Sequence, residues 1–338
     1  MKLGIHLAER GLLPDAVIRW GIRSTLAARL DALAGGAPGH RAASVDARDE
    51  TTFAELANQQ HYDVPPAFFA AVLGSRMKYS CGYWDSGDRA VNLDRSEERM
   101  LELTCARASI EDGMKILDLG CGWGALSLWI AERYPNCSVH SISNAGQQGA
   151  YIQKQVQRRG LTNVLVETAD VNDWKPRACF DLVVSVEMFE HLRDPGSLLK
   201  HIAGWLNPGG RLFLHHFCHA NTAYTYEIQS EAAWMARHFF TGGTMPARET
   251  VARATAAMVP VASWDVGGEH YAKTCRAWLQ RLDANWEEAE TALRARFGAK
   301  SATALQRWRM FFMACEELFA YRGGAEWFVV HHLMEPAR

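Results

Sequence analysis

Two carboxylates and an imidazole fall together in Glu187-Met188-Phe189-Glu190-His191. A carboxylate can hold or deprotonate a cationic nucleophile, and a histidine can take or relay a proton near neutral pH. The segment directly follows Phe180 to Val186 (FDLVVSV), an apolar run that reads as a buried strand. Ligands of open α/β sheets sit at the carboxyl ends of strands, so this is a place where chemistry is expected. The plainer reading, with Glu187 capping a helix and His191 packed beneath it, is the weaker one at such a position. A second cluster, His215-His216-Phe217-Cys218-His219, closes the run Arg211 to Phe217. Its His/Cys density suggests a metal. However, neighbouring side chains of a strand point to opposite faces and no second ligand cluster accompanies it. No metal is expected there, and one histidine facing the site is.

A third stretch supplies a cofactor cradle. Lys115 to Tyr134 (KILDLGCGWGALSLWIAERY) reads as strand, glycine-rich turn and helix. Gly120, Gly122 and Gly124 let the backbone turn sharply and approach a ligand, and the helix start presents free N–H groups. The third glycine follows after one residue rather than two, so this is not the dinucleotide fingerprint G-x-G-x-x-G. D-L-G-C-G-W-G is instead similar to the first motif of class I methyltransferases, which use S-adenosylmethionine. Asp118 is placed to accept hydrogen bonds from waters or the cofactor ammonium, and Trp123 to lie against an adenine. The end of the second strand usually bears an acidic ribose-binding group. Here it is Ser141-Ile142-Ser143-Asn144, so Asn144, Ser143 or Gln148 must do that work. Asp170, ending the third strand, is placed to accept from the adenine amino group.

The elements that must position these residues alternate. Strands are expected at Lys115 onward, Cys137 to Ser143, Val164 to Thr168, Phe180 to Val186 and Arg211 to Phe217, with helices between them. That pattern implies a parallel doubly wound sheet. From Ala220 to about residue 258 the chain reads as helical, interrupted at Phe239 to Pro246 (FFTGGTMP). Val259 to Val266 is a sixth strand, Cys275 to Phe297 and Thr303 to Ala320 are helices, and Glu326 to Leu333 is the last strand. Before the glycine turn, residues 1 to 34 read as an amphipathic helix with Arg19, Arg23 and Arg29 off its apolar face. Packing on the protein or on a second subunit is preferred for it over a membrane surface. Gly35 to Asp49 is a linker, and the aromatic-rich stretch Thr51 to Trp84 a lid. The division expected is a helical cap, 1–110, before a cofactor-binding domain, 111–338, in which 275–320 is a helical insertion shaping the substrate pocket.

Composition sets limits. The chain has 338 residues, 48% of them hydrophobic, and a formal net charge of −2, so nucleic acid is not an expected partner. No signal-peptide core and no run of 18 apolar residues is visible, and a soluble cytoplasmic protein is expected. The eight cysteines include no C-x-x-C pair, so free thiols are expected.

HYDVPPAFF, YSCGYW, LDLGCGWG, EMFEH and FLHHF together resemble the cyclopropane fatty acid synthase superfamily. ANQQHYDVP, MLELTCARA, ISNAGQQ, FCHA, FFTGGTMPA and EWFVVHHL are closer still to its coclaurine N-methyltransferase-like enzymes. The resemblance implies a class I methyltransferase (Rossmann-like) fold, an α/β seven-stranded sheet with an N-terminal helical region and a C-terminal helical lid. It implies S-adenosylmethionine as cofactor, S-adenosylhomocysteine as product, and methylation of a small aromatic amine. By the same resemblance Glu187, Glu190 and His191 bind the amine and accept its proton, with Glu190 and His191 as the base and Glu187 orienting. Asp63 stands where the group often has a glutamate near the substrate, and Phe319 and Trp327 match pocket aromatics. Tyr79, Ser80, Gly120, Asn144, Gln148 and Asp170 match cofactor contacts. A homodimer formed through the N-terminal helix is also implied. Cyclopropane synthases instead bind a bicarbonate base, and Cys81, Glu190 and His216 match three of its ligands. A fourth, a tyrosine, falls at Phe311, and a missing hydrogen bond in a buried anion site costs about 1–3 kcal/mol. That favours the amine over the alternative, modification of an unsaturated phospholipid chain at a membrane surface.

Overall fold

The computed structural model describes residues 2–35, 64–85, 92–226 and 233–337. Asp63 lies outside them, as does most of the expected linker and the first part of the expected lid.

The N-terminal helices are α1 (Lys2–Glu9) and α2 (Asp15–Ala34), two pieces where the sequence pattern reads as one. Gly11, at a positive φ, and Pro14 break them. α3 (Pro66–Val72) carries a proline in its first turn, where no N–H is missed. α4 (Leu93–Arg107) is capped by Asn92, whose side chain accepts from Arg95 N. Then follow β1 (Lys115–Leu119), α5 (Ala125–Arg133), β2 (Ser138–Ser143), α6 (Gly146–Arg159), β3 (Val164–Thr168), β4 (Phe180–Val186), α7 (Pro195–Trp205) and β5 (Leu206–His219). The remaining elements are β6 (Tyr224–Thr225), α8 (Trp234–His238), β7 (Thr244–Met245), β8 (Met258–Val266), α9 (Gly268–Ala284), α10 (Trp286–Phe297), α11 (Ser301–Ala320) and β9 (Trp327–Pro336).

Among the described residues a seven-stranded sheet runs β3-β2-β1-β4-β5-β9-β8. The first five strands pair in parallel, and β9 is antiparallel to both β5 and β8. Ile116, Leu117, Val183, Val184, Leu212 and Phe213 are fully buried, as strands covered on both faces require. The chain reverses direction across the sheet between β1 and β4, which opens a crevice at their carboxyl ends. The glycine turn after β1 and the EMFEH segment after β4 both open into it.

A helical layer of α3, α9, α10 and α11 packs as a second core beside the sheet. Phe68, Phe69 and Phe312 are completely buried there, each contributing about 1.5–3 kcal/mol by removal from water. α2 docks on α11, where Arg19 pairs with Glu316 at 2.7 Å and Glu317 at 2.8 Å, and Arg23 reaches Glu317 at 3.3 Å. These arginines therefore face the protein. Leu3, Leu12, Val17 and Trp20 are exposed. No described helix is long and apolar enough to cross a membrane.

Two expectations are corrected. The described residues between 220 and 258 are mostly turns with the small β6–β7 ladder, and α8 is short. Their apolar residues are drawn individually into neighbouring cores rather than along one helical face. The helix expected from Cys275 begins earlier, as α9 from Gly268.

Candidate active site

Two cavities meet at one wall. The first, of ≈ 420 Å³, lies over the carboxyl ends of β1, β2 and β4 and is lined by Tyr79, Ser80, Asp118, Gly120, Gly122, Trp123, Asn144, Gln148 and Asp170, among others. The second, of ≈ 780 Å³, lies between α2, α8, α9 and α11, with Phe217, Phe240, Trp278, Phe311 and Phe319 in its wall. Tyr79, Glu187 and His191 line both.

The first cavity gathers the expected cofactor residues, except that Gly124 is set back. A Cβ on Gly124 would meet Ile152 at 2.7 Å, so this glycine permits helix packing at a positive φ rather than ligand approach. Gly122 has open space beside it, and Gly120 N and Cys121 N donate to Ile142 O, pinning the turn to β2. Asp118 is buried and accepts from Ser127 Oγ at 2.5 Å, while Ser141 Oγ donates to Ser127 Oγ. Burial raises the Asp118 carboxyl to about 6. Trp123 packs against Phe69 and Tyr151, so only part of its ring reaches the cavity. Gln148 Oε1 accepts from Ser143 Oγ, leaving Nε2 buried without a partner in the cavity wall. An unsatisfied buried donor is costly unless a ligand accepts from it. S-adenosylmethionine, with its ribose hydroxyls, fits this cradle: glycine floor, Gln148 and Asn144 where an acid is usual, and Asp170 beyond.

The shared wall is built from distant segments. Glu187 adopts φ +51, a left-handed conformation that costs a non-glycine residue about 1–2 kcal/mol. Its N–H donates to His215 O at 2.7 Å, which holds the turn in place. The carboxylate then collects donors. Cys81 N donates to Oε1 at 3.0 Å, His215 Nε2 lies 3.2 Å from the same oxygen, and Tyr271 OH donates to Oε2 at 2.5 Å. Burial raises the Glu187 carboxyl, and the nearby Lys78 cation, Tyr271 and the Cys81 N–H oppose that rise. Lys78 is itself buried, donating to Ser80 Oγ and Cys81 O. Burial, opposed by Glu187, lowers the His191 imidazole to about 4, so it is neutral at pH 7 and able to accept a proton.

Glu190 sits behind this wall and lines neither cavity among the described residues. Its Oε1 accepts from Phe217 N at 2.8 Å and its Oε2 is unpartnered. Burial and the charge of Glu187 push it well above the ordinary range. Of the two carboxylates, Glu187 has the donors and the nearby Lys78 cation that favour its charged form, whereas Glu190 has both burial and the Glu187 charge against its own. His216, Cys81 and Trp327 likewise fall short of the cavity walls. His216 lies on the far face of β5, its Nδ1 against Phe217 O and its ring 5.5 Å from His332. The Cys81 thiol turns to Gly82 O, and Trp327 Nε1 donates to Tyr224 OH. Contrary to expectation, none of the three histidines of this cluster lines either cavity, and His215 reaches Glu187 from behind the shared wall.

Lys78, Tyr271 and His215 are the participants that the sequence reading leaves out. Lys78 adjoins the matched YSCGYW, and His215 lies inside FLHHF, so both had a local signal. Tyr271 had none, because the helix is expected only from Cys275, beyond it. Among the described residues no group of three His, Cys, Asp or Glu is placed to hold a metal.

Comparison with known proteins agrees with this fold. The family model described as mycolic acid cyclopropane synthetase matches residues 49–326. (S)-Coclaurine N-methyltransferase of Thalictrum flavum subsp. glaucum is 33% identical, over 97% of this chain and 93% of its own. Cyclopropane-fatty-acyl-phospholipid synthase of Escherichia coli (strain K12) is 28% identical over 76% of this chain and 67% of its own. Among solved structures, coclaurine N-methyltransferase bound to N-methylheliamine and SAH superposes with a TM-score of 0.87 at 31% identity, covering 98% of each chain. A mycolic acid cyclopropane synthase complexed with SAH and CTAB, at 22% identity and a TM-score of 0.69, covers 82% of this chain and 97% of its own, and shares the fold.

Proposed function

The chain belongs to the mycolic acid cyclopropane synthetase family and is an S-adenosylmethionine-dependent methyltransferase, and we propose that it methylates the nitrogen of a small aromatic, isoquinoline-like amine. One observation carries the reading: among the described residues, the large aromatic cavity shares with the cofactor cavity Tyr79, Glu187 and His191 alone. S-adenosylmethionine supplies an electrophilic methyl group when bound. Everything else falls to the chain's own residues.

The anionic Glu187 holds the arriving ammonium, and the aromatic rings around it favour a cation over water. The proton that must leave before nitrogen can act as a nucleophile passes by way of His191, which burial makes too weak a base to hold it and which therefore relays it onward. Enclosure between two cavity walls fixes the acceptor against the methyl donor, which in well-oriented reactions is worth about 7–11 kcal/mol of barrier. Phe319 lines the acceptor cavity and stacks on Tyr271 with centroids 4.3 Å apart, so it couples the acceptor's fit to the residue that orients Glu187. Trp327, the Cys81 thiol and His216 have no part in this version, and Asp63 lies outside the described residues. The reading keeps 1–110 as a cap over a catalytic domain, 111–338. All eight cysteines are free, which suits the reducing cytoplasm.

Incubation with methyl-labelled cofactor and two acceptor panels, cyclic aromatic amines and unsaturated phospholipids, tests the proposal. Label is expected in amines. Label in lipid with none in any amine overturns it in favour of acyl-chain modification. We also propose that a second copy covers the apolar face of α1 and α2, in keeping with exposed Leu3, Leu12, Val17 and Trp20. Sedimentation at assay concentration is expected to give the mass of two chains, and a single-chain mass removes the dimer.

A further inference from the structure

A line of hydrogen bonds leaves the amine-facing carboxylate on the side away from both cavities. His215 Nε2 lies 3.2 Å from Glu187 Oε1, His215 Nδ1 lies 2.9 Å from His331 Nε2, and His331 Nδ1 lies 2.8 Å from Arg107 Nη1. The sheet builds this line. Val186, His215, His331 and Trp264 occupy one register row across β4, β5, β9 and β8, and Glu187 follows Val186 directly. Residues paired in this way point to the same face. Arg107, in the last turn of α4, lays its guanidinium over Trp264 at 5.2 Å and closes the row. Both imidazoles are almost wholly buried, and burial holds both well below the usual histidine range.

An arginine can only donate, and this fixes every proton in the row. Its N–H requires a bare Nδ1 on His331. The neutral His331 therefore carries its hydrogen on Nε2 and donates to His215 Nδ1. His215 in turn carries its hydrogen on Nε2 and donates to Glu187 Oε1. No other assignment leaves each bond with one donor and one acceptor. A cationic His331 would set two N–H groups against each other at Arg107. A cationic His215 would require His331 to accept at both nitrogens.

We propose that Arg107, outside both cavities, is a positioning residue for methyl transfer: through the tautomers of His331 and His215 it aims Glu187 and keeps it an acceptor. The row cannot drain the amine's proton, because its far end has no acceptor. The proton must leave on the cavity side, where His191 stands. Tyr271 and the Cys81 N–H supply the remaining bonds to Glu187. The other charged or titratable groups facing the row are Lys78, Glu190, His191 and the Cys81 and Cys275 thiols around Glu187, His216 beside the imidazoles and Tyr83 near Arg107. None of these donates to His331 Nδ1.

The inference rests on Glu187 being the amine-facing carboxylate. Arg107→Met is expected to move the acid limb of the kcat/KM pH profile upward by about one unit, because the opposing field and the enforced donor are lost, with cofactor affinity unchanged. Arg107→Lys keeps a donor and is expected to restore most of the original profile. An unshifted profile in R107M overturns the proposal, and so does an equal shift in R107K. Nitrogen-15 NMR of the imidazoles in the unaltered protein tests it without any variant: both rings are expected in the Nε2–H form, and an Nδ1–H ring at either position overturns it. Full activity in E187Q would instead remove the site reading itself, whatever the tautomers show.

Discussion

Glu187→Gln is expected to slow amine methylation by about 10²–10⁴-fold at neutral pH, with cofactor affinity nearly unchanged. The amide removes the charge that faces the ammonium. Its oxygen can still accept from Cys81 N and His215 Nε2, but its NH₂ then faces Tyr271, whose hydroxyl must turn round to accept. Bonds to a charged acceptor, worth about 1.5–3 kcal/mol each, become weaker bonds to a neutral amide. Glu190→Gln differs, because its amide oxygen can still accept from Phe217 N and its second oxygen has no partner to lose. Measured side by side as kcat/KM, with cofactor binding by calorimetry, E187Q should fall much further than E190Q. The reverse order would return the amine to Glu190. The pH dependence has a definite sign. Burial raises the Glu187 carboxyl above its ordinary value, so falling pH protonates it early and activity drops before an ordinary carboxylate would titrate.

Gly268→Ala is expected to destabilise the protein by about 3 kcal/mol or more and to lower Tm by roughly 5–10 °C. A Cβ here would lie 2.2 Å from Trp327 O, 2.4 Å from Phe319 O and 3.0 Å from Gly324 Cα. All three atoms are backbone, from β9, the end of α11 and the turn between them, so no side chain can rotate away. Gly204→Ala, in α7 with nothing within 4 Å of the new methyl, provides the contrast. That change should stabilise by about 0.5–1 kcal/mol, through helix propensity alone. Thermal melts of both variants decide the matter, and a G268A protein as stable as the parent would contradict the packing described. Surviving G268A protein should also be slow, because α9 starts at this glycine and carries Tyr271 to Glu187.

Much of this architecture could be read from residue order, for local reasons. Each parallel strand is a short apolar run, and the glycine turn marks where β1 ends. The seven-stranded sheet, the helical insertion before the last strand and the residues of the cofactor cradle follow from such signals. The orientation of side chains within a recognised segment does not. Alternation shows that His215 and His216 face opposite ways, but only the pairing of β5 with β4 and β9 decides that His215 meets Glu187. The tight turn after β4 likewise turns Glu187 outward and Glu190 inward, and both are glutamates in the same five-residue motif. Trp327 carried a pocket aromatic's signature, yet its strand position takes it to Tyr224. Between residues 220 and 258 the apolar residues serve separate cores, so local periodicity was a poor guide there.

The helices α9 to α11 leave the sheet after β8 and return to it at β9, with Val266 opposite Val329 where the two strands meet. They form an interchangeable cassette whose two ends are anchored by strand register. Selection or an engineer can exchange Trp278, Phe311 or Phe319 to suit a different acceptor without touching the glycine turn or the residues around the methyl donor. Tyr271 is the exception, because it sits in the cassette yet donates to Glu187 at the wall between the two cavities. Acceptor range can therefore drift while this tyrosine is held, and a graft of the cassette into a relative should carry it along.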